Sequence, residues 1–391
     1  MAYIPPHMRL KKGAAASSPP SPARPPESII PRFQRNIDLK SKGYPRKIVH
    51  AENSISKWFV VGLADENLVS GLTHLEPVAV ESFERKSGEK PLALVLKENG
   101  EKVTEFSENP WIDVAEAVKQ DLFASFELVK NEMRDYEFQE MKPSLVLRFG
   151  RILFHGGCSF TERSLPVSTL KHLRKSFYTN VPPSYMEHIT SNVAPQIDFD
   201  FKEEKELYHV KLFDNMRPGS TISCKCTFVK DRNQLEHSKI ELNQVRHLVA
   251  DMSCLDKNLD LRLMLNTKRT LVALTDEELE NVKSLVSSAR LDSEVKGGLR
   301  WPLGKQSAGN RFTVVGVWHT KFKTYRNSST RLKLRHADRF DFLTSNGEAS
   351  NEVILKMPGI VSLLQEEKVD TDVVLEMLNE NLRLIWKHFL S

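Results

Sequence analysis

Residues 311–342, RFTVVGVWHTKFKTYRNSSTRLKLRHADRFDF, constrain this chain more than any other stretch. Arg311, Thr313, Val315, Val317, His319, Lys321, Lys323 and Tyr325 hold the odd positions, with Phe312, Val314, Trp318 and Phe322 between them. Past Asn327-Ser328-Ser329 the alternation resumes, with Arg331, Lys333 and Arg335 set against Leu332 and Leu334. A strand sends successive side chains to opposite faces, so a period of two marks half-buried strands. The expectation is a hairpin or meander with one apolar face and one basic face.

The rest of the chain supplies partners for such a hairpin. Short strands are expected at 57–63, 77–83 and 91–96, and Pro110 opens a helix whose stripe is Trp111, Val114, Val118, Leu122, Phe126, Val129 and Met133. A long strand over 145–154 is interrupted at Gly150, and a basic helix over 168–178 ends at Pro182-Pro183. From 196 strand signals follow one another: 196–201, 207–213, 221–230, 239–242, 247–251 and 259–267. Thr275 and Glu278 have the spacing of a capping box, 352–357 reads as a closing strand, and Asp370 or Thr371 starts the last helix. Strands in runs with few helical crossovers predict an α+β fold. Its sheet is expected to be largely antiparallel, a strongly curved sheet or barrel with flanking helices. The expected divisions are a disordered Pro-rich basic tail (1–47), a small α/β subdomain (48–142) and a β-rich domain with C-terminal helices (143–391).

Charge is unevenly placed. Residues 1–50 hold ten Lys/Arg and two acids, and residues 300–339 hold ten Lys/Arg and one acid, in a chain of net charge +5. Concentrated positive charge steers a protein toward phosphates or acidic surfaces. The tail opens Met1-Ala2-Tyr3-Ile4-Pro5-Pro6-His7-Met8-Arg9. This resembles the YIPPHLR-type segment in the tails of DEAD-box RNA helicases, where a Tyr-x4-Leu pattern is proposed to engage the cap-binding translation initiation factor. The resemblance implies partner binding by Tyr3, Ile4, Met8 and Arg9, with Met8 standing where that pattern has Leu. The opening also resembles that of a family of uncharacterised plant proteins beginning MAYIPPHKR, with a tail of this kind before a large domain of unknown function. That resemblance extends over essentially the whole chain and implies no activity. An inert linker and an organelle transit peptide are the other readings of the tail.

Lys321, Lys323, Arg326, Arg331, Lys333 and Arg335 are the candidate nucleic-acid or phosphate contacts, with Tyr325, His319 or His336 as stacking partners for bases. The favoured reading is a non-enzymatic RNA- or ribonucleoprotein-associated adaptor, cytoplasmic or nuclear, with an RNA or phosphate-bearing ligand and no cofactor. One alternative is a polyphosphate or nucleotide hydrolase of the triphosphate-tunnel type, whose antiparallel barrel lines its interior with alternating Arg/Lys and metal-holding Glu. Its paired-Glu strand is absent; the nearest stretch, Phe201-Lys202-Glu203-Glu204-Lys205-Glu206, lacks the alternation. Another is a protein-interaction module whose basic face is merely solvated. No phosphate-loop, dinucleotide or zinc-protease motif occurs, and His155 with Cys158 is the one spacing that suggests a nucleophile. The four cysteines read as reduced thiols, and no apolar run is long enough to span a membrane.

Overall fold

The computed structural model describes residues 49–62, 72–81, 83–84, 88–97, 106–135, 140–155, 165–216, 221–232, 234–242, 244–270, 274–308 and 311–390. The tail residues Tyr3, Ile4, Met8 and Arg9, and Cys158, lie outside them. The elements begin with β1 (Val49–Val61), β2 (Thr73–Pro77) and β3 (Leu92–Leu96), then α1 (Pro110–Asp135) and β4 (Met141–His155). Next come α2 (Val167–His172), β5 (Arg174–Tyr178) and α3 (Pro183–His188), which runs through a π turn into the short α4 (Ala194–Gln196). Five strands follow: β6 (Asp200–Asp214), β7 (Thr221–Val229), β8 (Gln234–Leu242), β9 (Val245–Cys254) and β10 (Asp260–Arg269). After α5 (Asp276–Ser287) stand the short β11 (Arg290–Leu291), β12 (Leu299–Arg300) and β13 (Ser307–Ala308). The chain then forms β14 (Phe312–Arg326), β15 (Arg331–Asp341) and β16 (Asn346–Lys356), and closes with α6 (Pro358–Gln365) and α7 (Thr371–Leu384).

The fold is mixed α+β and dominated by one large sheet, ordered β1-β9-β10-β4-β16-β15-β14-β6-β7-β8. Among the described ladders only β1 with β9 is parallel. These ladders do not close into a barrel; beyond them one isolated bridge pairs Glu241 with Thr270. Residues 43–391 form one compact unit, and residue 142 stands inside β4.

Local chemistry explains the element ends. Thr275 accepts from the Glu278 amide and Glu278 reaches back to the Thr275 amide, so both orphan donors at the start of α5 are satisfied. Asp370 caps α7 by accepting from Asp372 and Val373. Some of these expectations need correction. The stretch 168–178 is not one helix: it turns at Leu173 into β5, which pairs with the far half of β4. Pro182-Pro183 opens a helix instead of ending one, because a proline at a first helical position loses no intrahelical bond. The strand expected from 196 starts at Asp200, after α4. Gly150 does not interrupt β4. A Cβ there would collide with the Tyr178 carbonyl of β5, so glycine is what lets the two strands touch.

Both main cores lie on one face of the sheet. Leu145, Leu147, Leu263, Leu332, Leu334 and Leu355 pack with residues of α1, α6 and α7, while Val210, Cys224, Ile240 and Val317 pack with Val282, Leu285 and Val286 of α5. Cys224 and Cys226 are buried there, and burial pushes the Cys226 thiol up to about 12, so it stays protonated. The opposite face of the sheet carries the site.

Candidate phosphate-binding face

Register decides which side chains meet. Four residues, 327–330, join β14 to β15, and Arg326 stands across from Arg331. Odd positions of β14 therefore share a face with even positions of β15. Lys321 lies opposite His336 and Lys323 opposite Leu334, on the helix-covered face. Arg326, Arg331, Lys333 and Arg335 stand on the other one. The single basic face expected from the alternation is thus two faces. Lys321 and Lys323 are exposed; with Met186, Glu187, Glu204 and His336 they border a shallow groove of 330 Å³. Tyr325 is buried in the main core, edge-on to Phe201, and is not available for stacking on a base.

The polar face gathers cations from neighbouring strands. Arg335 pairs across β16 with Glu352, and Lys356 lies opposite Arg331. One strand further, Arg148 of β4 stands opposite Ile354, then Arg262 of β10 opposite Arg148, then Asp251 of β9 opposite Arg262. On the other side Arg339 lies opposite Trp318, and Trp318 opposite His209 of β6. Of these, only Arg331 and Arg335 stand among the candidates read from the sequence, with Lys333 between them. Arg148, Arg339, Lys356 and Glu352 carry the same alternation, but nothing local shows which strand lies beside which.

His209 and Lys268 lie within electrostatic reach of one another, although β6 and β10 are five places apart in the strand order. In a flat sheet that separation would be about 24 Å, at about 4.8 Å per strand. Lys268 also pairs with Glu241 of β8 at 3.3 Å, beside the bridge between Glu241 and Thr270. Burial, then Lys211, Lys268 and Arg335, push His209 down to about 2, so its imidazole is neutral.

Two kinds of cation occupy this face. The first kind has a carboxylate. Glu352, 1% exposed, accepts from Arg335 Nε at 2.9 Å and from Arg339, with Arg148 Nη1 at 3.8 Å. Burial alone would raise its carboxyl, but Arg335, Arg148 and Arg339 together hold it well below the usual carboxylate range. Arg262 binds Asp251 bidentately at 2.5 and 2.7 Å. Arg331 reaches Glu203 at 2.9 Å. The second kind has none within ion-pair distance among the described residues: the charges that act most strongly on Lys333 are Lys356, Arg335, Arg331 and Lys268, and those on Lys356 are Lys268 and three arginines. Burial first, then these cations, push Lys333 down to about 6 and Lys356 down to about 8. The Lys333 ammonium rests 3.2 Å from the Phe322 ring centroid. Arg148 Nε, Arg339 Nε, Asn266 Oδ1 and Thr324 Oγ1, all on this face, are buried without a hydrogen-bond partner among the described residues.

No group of three or more His, Cys, Asp or Glu among the described residues is placed to hold a metal ion. His155 bonds Ser176 Oγ at 2.6 Å and stacks on Phe83, at the far end of β4 from this face's cations. No helix among the described residues is long and apolar enough to cross a membrane.

Fold and site together define an α+β protein built on one large sheet, with both main cores on one face and half-buried cations on the other. Residues 42–389 match the family described as a domain of unknown function (DUF7903), and the chain belongs to that family. No curated protein matches it. Among solved structures it is similar to an S. pombe RNA triphosphatase, at 11% identity and a TM-score of 0.40, over 67% of this chain and 89% of that one. It is also similar to the Mimivirus capping enzyme triphosphatase, at 11% identity and 0.29, over 72% and 97%. A third similar structure is a putative adenylate cyclase from Bacillus halodurans, at 11% identity and 0.23, over 53% and 87%.

Proposed function

We propose that the chain binds a linear oligophosphate, either free or at the end of a nucleotide or RNA, along the polar face of its sheet. In this reading the sheet curls into an open tunnel with that face inside. The carrying observation is the pair Lys333 and Lys356: two partly buried ammoniums on adjacent strands, beside further cations and with no ion-pair partner of their own among the described residues. Burying unpaired charge is costly, and a cluster of like charges compounds the cost. A phosphate chain offsets it, because each phosphate brings negative charge and several acceptor oxygens to donors that have none. Alternating Lys/Arg on the inside of a curled antiparallel sheet is also the arrangement of the triphosphate-tunnel alternative. The RNA-adaptor reading, which needs Lys321 and Lys323 in one stripe with Lys333 and Arg335, loses its geometry.

The test is calorimetric titration of the intact chain with inorganic tripolyphosphate, orthophosphate and a single-stranded RNA lacking a 5′-triphosphate. The expected order is tripolyphosphate far tighter than orthophosphate, with RNA weak and strongly salt-sensitive. Tight binding of that RNA with no response to tripolyphosphate would reject the proposal.

A further inference from the structure

The carboxylates on this face bear on how a phosphate chain is held there. Metal-assisted phosphate sites need carboxylate oxygens free to coordinate a divalent cation, usually from two or more side chains converging on one point. Glu352 fails that requirement. Its Oε2 accepts from both Nε and Nη2 of Arg335, and its Oε1 accepts from Arg339, from Thr179 Oγ1 at 3.4 Å and from Ser350 Oγ at 3.4 Å. Asp251 has both oxygens taken by Arg262, and Glu241 is paired with Lys268. Arginine and lysine thus stand where a metal would have to stand.

What Glu352 does is hold guanidiniums. Three arginines from two strands, Arg335 and Arg339 of β15 and Arg148 of β4, converge on one carboxylate that is itself on a third strand. Without it they would repel one another, and their planes would not be fixed. With it, Arg148 Nε and Arg339 Nε remain buried donors with no acceptor among the described residues. Lys333 and Lys356 lie on the same face beside this array. The result is a rigid set of donors, already neutralised at its centre and short of acceptors at its edge.

Resting on the oligophosphate reading, we infer that this face takes its ligand without a bridging divalent cation, and that Glu352 is a positioning residue that holds Arg148, Arg335 and Arg339 ready for phosphate oxygens. Cation and ligand are then in competition. Magnesium complexes tripolyphosphate in solution and removes it from the protein.

The experiment titrates the full-length chain with tripolyphosphate in EDTA and again in millimolar Mg²⁺. The expected result is tight binding in EDTA, weakened about threefold or more by Mg²⁺, as for any ligand sequestered by a competitor. Binding that appears only with Mg²⁺ overturns the inference and leaves the oligophosphate reading standing. No binding under either condition overturns both. Electron paramagnetic resonance with Mn²⁺ and the chain alone gives a second reading. The expected spectrum is that of free Mn²⁺, and stoichiometric Mn²⁺ binding lost in Glu352→Gln would overturn it. For the positioning role, Glu352→Gln leaves three guanidiniums without their carboxylate. Orthophosphate should then raise the melting temperature of Glu352→Gln more than that of the parent, and Glu352→Asp should respond like the parent. Equal responses in all three would show a merely structural carboxylate.

Discussion

The two faces of the β14–β15 hairpin carry the same residue types and obey different physics. On one face Lys321 and Lys323 are exposed; Lys321 lies 3.6 Å from Glu206, itself exposed. Such charges are solvated, screened by salt and of little energetic consequence. On the other face Lys333, a single residue along from Leu334, is partly buried among cations, and burial with those cations pushes its ammonium down to about 6. Exposure separates the pairs: Lys321 and Lys323 meet solvent, whereas Lys333 is half-buried, its ammonium against the Phe322 ring. A basic residue is informative about a ligand when the fold has removed both water and carboxylates from it.

Four measurements break or sharpen that contrast. The largest effect is expected at Glu352, where alanine leaves three arginines without a buried carboxylate; unfolding in denaturant should show a loss of about 3–5 kcal/mol. A loss under 1 kcal/mol would mean the arginines are solvated. Next is Leu332→Ala, on the helix-covered face, where Leu332 is 0% exposed. It should cost about 2–4 kcal/mol of stability and leave tripolyphosphate affinity unchanged in the folded protein. Third is charge reversal. Lys333→Glu with Lys356→Glu should weaken tripolyphosphate about 100-fold, roughly 2.7 kcal/mol, whereas Lys321→Glu with Lys323→Glu should change it less than about twofold. Equal losses from the two pairs would erase the distinction between faces.

The smallest is the pH dependence. Bound phosphate favours the charged ammonium, so it raises the lowered values of Lys333 (about 6) and Lys356 (about 8), and binding takes up protons. Tripolyphosphate affinity should therefore rise as pH falls from about 9 to about 7, by about tenfold from Lys356 alone and by more with Lys333. The folding side has its own sign. A lysine lowered in the folded state holds fewer protons than in the unfolded chain, between its folded value and the ordinary 10.5. These two lysines thus make stability rise with pH across that window. Affinity that falls on acidification over this range would contradict the assignment of these lysines.

Much of the fold was legible in the sequence. The period of two located β14 and β15, Thr275 and Glu278 located the start of α5, and Pro110 began α1 as expected. The misread 168–178 shows the limit of periodicity in short stretches: Val167 and Leu170 suit a helix, but pairing with β4 extends 174–178. The site was legible only in part, for a geometric reason. Alternation says that neighbours along a strand oppose one another, but not which parity of one strand joins which of the next. Across the 327–330 loop the parity changes, so Lys323 and Lys333, alike in sequence, part company. Arg148 and Glu352 sit 204 residues apart, and only the strand order β4-β16-β15 brings both to Arg335.

A crystal structure of the chain with bound tripolyphosphate tests the central claim most directly. The prediction is a phosphate chain on the polar face, with oxygens within hydrogen-bond distance of Lys333 Nζ and Lys356 Nζ. Phosphate lodged instead beside Lys321 and Lys323, or a polar face that stays free of ligand at saturating concentration, would contradict it.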